Sequence, residues 1–139
     1  MTTPTPRGIR NNNPGNLRTS DAHWLGKLSP SRDPDFEQFD TPEHGIRALA
    51  KVLLAYYQNH GLDTIRQIIS RWAPPSENNT SAYVEQVCGQ CGVSADQPID
   101  LTVPDMLAAV TEAVIFHENG TCPYTVAQID AGVTMALTP

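Results

Sequence analysis

Glu118 closes the run Val114-Ile115-Phe116-His117-Glu118-Asn119-Gly120, a setting that suits a carboxyl group holding a proton near neutral pH. Positions 107, 111, 114 and 118 fall along one side of a helix, so Glu118 shares the inward side with Leu107 and Val114. It lies in the last helical turn, where the macrodipole disfavours a negative charge. No Lys or Arg follows Arg71, so no sequence-local cation offsets that cost. Desolvation and the helix end both raise the expected pKa, as a general acid requires. A solvated Glu at a fraying helix end is the plainer alternative. Glu43 is placed the opposite way, in the first turn of its own helix with Arg47 at i,i+4, and its expected pKa is low. That suits a base, a nucleophile or an electrostatic stabiliser, or simply an acid paired with Arg47. Two carboxyls pushed apart in pKa are the pattern glycosidases use.

The second concentration of chemistry is Arg7-Gly8-Ile9-Arg10-Asn11-Asn12-Asn13-Pro14-Gly15-Asn16-Leu17-Arg18. It has no helical or strand periodicity and reads as a turn-rich loop, because Asn and Gly tolerate φ > 0 and Pro fixes its own φ. Its Asn amides and Arg forks form an inventory for gripping a polar, neutral-to-anionic ligand such as a sugar with carboxylate groups. It contains nothing that shuttles a proton at neutral pH. A solvated N-terminal loop is the alternative. Tyr56, Tyr83 and Tyr124 either stack on a sugar ring or pack, and Trp24 and Trp72 are expected in the core. His117 points about 100° away from Glu118 on a helix, so the two are not expected to pair.

Cys88-Gly-Gln-Cys91 has the spacing of a redox or half-zinc motif, with Cys122 following. No βαβ context precedes it, and His117 is the lone His of the second half as a fourth ligand. Partly buried helical thiols are the expectation, with no metal and no cofactor. A hydrophobic share of 40% and a charged share of 17% fit an ordinary soluble protein of one domain, residues 1–139. No apolar run approaches a membrane span, and Met-Thr-Thr-Pro-Thr-Pro has neither the basic nor the apolar region of a secretory signal. All nine Lys and Arg lie in residues 1–71, whereas residues 72–139 carry eight acids. A net charge of −6 argues against tracking phosphates on nucleic acid, and the asymmetry suggests two lobes meeting at a cleft.

These residues need helices to position them. Residues 1–6 read as a flexible arm, and residues 20–40, with Pro30 and Pro34, as short strands in an irregular hairpin. Thr41 caps a helix with Pro42 at its first position, and Ile46, Leu49, Ala50, Leu53, Leu54 and Tyr57 form its buried face up to Gly61. A second helix runs from an Asp63 cap to Trp72 before Pro74-Pro75. A third runs from about Thr80 to Gly92. A fourth starts at a Thr102/Asp105 capping box and ends at Gly120, and a last one is capped by Thr125. The fold class is mainly α (α+β), about five helices with a small irregular β region.

Arg7 to Leu17, with Trp24-Leu25-Gly26, Phe36-Glu37-Gln38-Phe39, Glu43-His44-Gly45-Ile46-Arg47-Ala48-Leu49 and Trp72-Ala73-Pro74, resembles a group of small phage virion-associated and secreted bacterial proteins. A second resemblance is to bacterial cell-wall glucosaminidases, in which a helix ending in a catalytic Glu precedes an Asn-Asn segment, a Trp-x-Gly and an aromatic strand pair. Asn12-Asn13, Trp24-Gly26 and Phe36/Phe39 echo the later parts in order, and Val114 to Gly120 resembles the Glu helix from the other end of the chain. The resemblance implies a lysozyme-like fold, circularly permuted, that cleaves the MurNAc–GlcNAc backbone of peptidoglycan. Glu118 would protonate the glycosidic oxygen. Asn12, Asn13, Asn16 and Arg10 would hold sugar, Tyr83 and Tyr124 would line the groove, and Glu43 would stabilise charge or position water. Without a second carboxylate nearby, substrate assistance or a lytic transglycosylase or glucosaminidase route follows. The implied partner is peptidoglycan, reached by phage or by a secretion system, with a cognate immunity protein in the latter case and neither nucleic acid nor membrane. A non-catalytic wall-binding virion module and a thiol or zinc protein are the competing readings.

Overall fold

Thr41, Gly61 and the apolar stripe between them produce the helix around which the others pack. In the computed structural model, which describes residues 4–139, this helix is α2, Pro42–His60, and it follows a single helical turn, α1, Arg7–Arg10. The remaining helices are α3 (Ile65–Trp72), α4 (Thr80–Cys91), α5 (Pro104–Asn119) and α6 (Val126–Leu137). The chain is therefore mainly α, with six helices among the described residues where about five are expected. The additional one is the turn at Arg7: Pro6 sets the φ before it, and Arg10 N–H and Asn11 N–H donate to the Pro6 and Arg7 carbonyls. Residues 1–3 of the expected flexible arm lie outside the described residues.

Local capping chemistry sets most helix ends. The Thr41 side chain accepts from His44 N–H with Pro42 at the first helical position, and Gly61 ends α2 with φ 65°. Thr125 and Gln128 form a capping box on α6. Two caps differ from expectation. Thr64, not Asp63, caps α3, because Gln67 Oε1 takes the Asp63 N–H while Thr64 Oγ1 takes that of Gln67. The Thr102/Asp105 box does not form, because Asp100 Oδ1 accepts both the N–H and the hydroxyl of Thr102, leaving Val103 as an N-cap without a side-chain bond.

One buried cluster joins α2 to α6. Ile46, Leu49 and Leu53 of α2 are fully buried, and α2 makes its most extensive helix contact with α6. Residues 18–40 form no strands, only isolated antiparallel bridges at Arg18–Phe36 and Lys27–Phe39. A few backbone bonds, among them Glu37 N–H to the Leu17 carbonyl and Leu28 N–H to that of Gln38, are supplemented by side chains. Asn13 Nδ2 donates to the Leu17 and Glu37 carbonyls, and Ser31 Oγ donates to that of Phe36. Prolines 30 and 34 account for the lost ladder, since neither has an N–H to give.

The Asn-rich loop docks on α2 where Gly45 removes a side chain. The Asn12 carbonyl occupies the space that a Cβ at position 45 would need. Gly45→Ala is therefore expected to lower stability by about 1–3 kcal/mol, although Ala is the better helix former. A reduced thermal midpoint is the expected reading, and a raised one would contradict the close approach.

The loop's other flank is ionic. Arg7 Nε and Nη2 each lie 2.6 Å from an Asp33 oxygen, and Asn11 Nδ2 lies 3.0 Å from Asp33 Oδ2. The hydrogen bond from Arg7 holds the Asp33 carboxyl well below the usual carboxylate range, against an opposing desolvation. A folded pKa below the unfolded value contributes stability above the unfolded pKa, and that contribution is lost as pH falls through the folded one. The thermal midpoints of the wild type and Asp33→Asn should thus differ by a constant amount above about pH 5 and converge below about pH 4.

Candidate functional site

Glu118 stands in the last turn of α5, on the side that carries Leu107, Thr111 and Val114, all fully buried. Spacing along that side brings its carboxyl inward, half-buried, against α4. Tyr83, 2% exposed, places its hydroxyl 2.9 Å from Glu118 Oε2. Trp72 Nε1, at the end of α3, lies 3.0 Å from the same hydroxyl oxygen. Indole N–H only donates, so the direction of the chain is fixed: Trp72 donates to Tyr83, and Tyr83 donates to Glu118 Oε2. Oε1 keeps no protein partner and is open to solvent. A proton carried by Glu118 therefore sits on Oε1. Burial first, then the Glu118 charge and hydrogen bond, pushes the Tyr83 phenol far above its ordinary pKa, so it remains a donor.

The carboxyl opens into a cavity of about 270 Å³ whose walls come from distant parts of the chain. Gly15, Asn16, Leu17 and Arg18 form one side, and Tyr56, Trp72, Ala73 and Asn78 the other. Asn119, the residue after Glu118, fastens the first wall to α5. Its Nδ2 donates to the Pro14 carbonyl at 2.8 Å and to the Ile115 carbonyl at 2.9 Å. The bare Cα of Gly8 lets the Asn16 and Asn119 side chains approach closely. Thr80 Oγ1 bonds the Ala73 carbonyl and so sets the second wall. Among the described residues Glu118 is the only carboxylate lining this cavity.

The remaining sequence-derived site residues divide sharply. Asn16 lines the cavity with φ 50°, its Oδ1 buried without a partner. Asn13 does not: it is fully buried and its amide is spent on the Leu17 N–H, the Leu17 carbonyl and the Glu37 carbonyl. Asn12, at φ 51°, spends its Nδ2 on the Phe39 carbonyl. Both shape the loop rather than offering it to a ligand. Tyr83 presents no ring face to the cavity either, being stacked on His117 at 3.6 Å between centroids. His117 itself bonds Gln86 and not Glu118, as the helical angle requires. Arg10 lies outside this cavity, beside Arg7, Asn11 and Arg32.

Glu43 does not face Glu118 across the cavity. It sits where α2 meets α6, with Oε1 3.3 Å from Gln128 Nε2, and it forms no ion pair with Arg47 among the described residues. Tyr124 is near Glu43, its hydroxyl buried without a partner and its pKa pushed up to about 12 by burial, with Cys122 and Glu43 adding to the effect. The thiols are shifted away from reactivity: burial raises all three, Cys91 to about 11. A wider depression of about 580 Å³ runs along Ser20 to Ser29 and holds Trp24. Trp24 is thus at the surface of a cavity and not in the core.

Sequence reasoning missed Trp72, Arg18 and Asn78 as cavity residues and Tyr83 as the partner of Glu118. The Trp72–Tyr83–Glu118 chain links three helices, and no spacing rule within one helix reveals it. Tyr83→Phe removes the hydroxyl and leaves Oε2 free to rotate. If Glu118 acts on a substrate, kcat should fall about 10- to 100-fold with KM nearly unchanged, as expected for a residue that positions another. An equal rise in KM would instead mark a binding role.

No protein-family model matches the chain. It is 44% identical over 130 residues to a protein named Protein P5 from Pseudoalteromonas phage PM2, a match covering 91% of this chain and 79% of the relative. On that identity and coverage, the chain belongs to the family of phage PM2 Protein P5.

Proposed function

We propose that the protein is a lysozyme-like glycosidase that cleaves the MurNAc–GlcNAc backbone of peptidoglycan, with Glu118 as general acid. The observation that carries this reading is the placement of Glu118. A helix-end carboxyl, gripped on Oε2 by a buried tyrosine and free on Oε1, opens into a cleft walled by amide and aromatic side chains. In the proposed reaction Glu118 Oε1 gives its proton to the glycosidic oxygen as the C–O bond breaks and oxocarbenium character develops at the departing sugar carbon. Asn16 and Asn78 offer hydrogen bonds to N-acetyl and hydroxyl groups, and Tyr56 and Trp72 offer apolar surface to the ring.

The cavity's single carboxylate bears on the route. Retaining and inverting glycosidases use two carboxyls on opposite sides of the bond, and Glu43 is not among the residues of this cleft. We favour attack from within the substrate, by its N-acetyl oxygen or by the sugar's own C6 hydroxyl. Glu118, left ionised after giving up its proton, then accepts the proton released by that hydroxyl. The C6 route is that of a lytic transglycosylase and leaves a 1,6-anhydro end.

The relative's phage origin supports delivery to the wall with a virion. Clearing of a suspension of purified peptidoglycan sacculi tests the proposal. Sedimentation with sacculi without clearing or release of soluble fragments would overturn it in favour of a wall-binding module.

A further inference from the structure

A second cavity, of about 500 Å³, is lined by Arg7, Arg10, Asn11, Arg32, Asp33 and Gln38, with Pro34. Arg7 is neutralised by Asp33 and Asp35. Asp33 is itself saturated, by Arg7, by Asn11 and by the Asp35 and Phe36 N–H groups. Arg10 and Arg32 are different. Both are exposed, and neither has a carboxylate within ion-pair distance among the described residues. Two unspent guanidinium forks are a donor set for carboxylate, and they are held over a floor in which Gln38 Nε2 donates to Asn11 Oδ1, Asn11 Nδ2 donates to Asp33, and Gln38 Oε1 accepts from Arg32 N–H.

This cavity is joined to the Glu118 cleft by one aromatic ring. The Arg7 guanidinium lies 4.6 Å from the centre of the Phe36 ring and that of Arg18 lies 5.1 Å from it. Arg7 lines the Arg10–Arg32 cavity and Arg18 the Glu118 cleft, so the Arg7–Phe36–Arg18 stack forms a shared wall between them, its free charge supplied by Arg18 because Arg7 is paired with Asp33 and Asp35. On the opposite wall of the Glu118 cleft the Arg71 guanidinium lies 5.2 Å from the centre of the Tyr56 ring, whereas residues 72–139 contain no Lys or Arg.

We infer that the Arg10–Arg32 cavity is a subsite for the carboxylates of the peptide stems that peptidoglycan carries beside the bond cut at Glu118. The inference rests on the glycosidase reading. A stem of about four residues, extended, reaches roughly 13 Å, enough to leave a sugar in one cavity and run along the shared wall toward the next. The substrate recognised is then peptide-bearing glycan, and its carboxylates, not its amide backbone, make the contact.

The test compares kcat/KM on glycan strands that keep their stems, on strands stripped by an amidase, and on strands whose stem carboxylates have been converted to amides. The wild-type enzyme should prefer the native strands at least tenfold over both others. Arg10→Ala/Arg32→Ala, at two exposed positions, should lose that preference. A wild type without preference, or a double variant that keeps it, would overturn the inference. A binding measurement keeps the two proposals apart. Calorimetry of Glu118→Gln with a soluble disaccharide-tetrapeptide should show affinity at least tenfold weaker when both arginines are replaced, and equal affinity in the two proteins would also overturn the subsite. Arginine-dependent binding from a protein that cleaves no strand would support the subsite and reject the glycosidase reading.

Discussion

Glu118→Gln is expected to lower the rate of glycan cleavage by about two to four orders of magnitude, the range a positioned general acid supplies. The substitution is close to isosteric, and the amide still accepts from the Tyr83 hydroxyl through its oxygen, as Glu118 Oε2 does at 2.9 Å. What it removes is the transferable proton on the side facing the cleft. Folding should be untouched, with a thermal midpoint within a few degrees of the wild type, and binding to sacculi should persist. Loss of clearing with retained binding separates a chemical role from a structural one. Unchanged clearing would remove Glu118 from the mechanism altogether, and no other carboxylate lines this cavity to replace it.

The second large effect is expected far from the cleft. Glu37 is fully buried, and the Lys27 ammonium lies 2.9 Å from its Oε2, off the line a hydrogen bond would need. No other donor among the described residues reaches either oxygen, so among them Lys27 alone offsets this buried charge. Lys27 also donates to the Ser20 and Ala22 carbonyls, which draws residues 20–27 onto residues 36–39. Lys27→Met should cost about 3–5 kcal/mol by leaving a buried carboxylate unpaired. For a chain of this size that lowers the thermal midpoint by roughly 10 °C or more. Lys27→Met/Glu37→Leu should recover most of the loss, because removing both charges also removes the desolvation that the pair must overcome. A double variant as unstable as the single one would show that the pair is not the source.

Helix placement was largely legible because its signals are local. Thr41-Pro42 and Gly61 set α2 through contacts made within a turn of each end. The Thr102/Asp105 box failed for an equally local reason, a competing acceptor at Asp100 two residues upstream. The side of α5 carrying Glu118 followed from its spacing to Leu107 and Val114. The Asn-rich loop was legible in type but not in use. Asn13 has the chemistry to hold a sugar, but its Nδ2 is consumed by the Leu17 and Glu37 carbonyls of the loop's own packing. Tyr83 as partner to Glu118, 35 residues away, and Glu37 as a buried charge depend on how helices and loops pack. Nothing in the flanking residues encodes either.

Mass spectrometry of the soluble products from purified sacculi tests the central claim most directly, because it reads the bond broken and the route together. Cleavage by Glu118 without a second carboxylate should release disaccharide-peptides ending in MurNAc, absent from the Glu118→Gln digest. A 1,6-anhydro end, lighter by one water, would identify attack by the sugar's own hydroxyl, and a reducing end would identify assistance by the N-acetyl group. Products ending in GlcNAc, products that persist with Glu118→Gln, or no soluble glycan fragments at all would contradict the assignment.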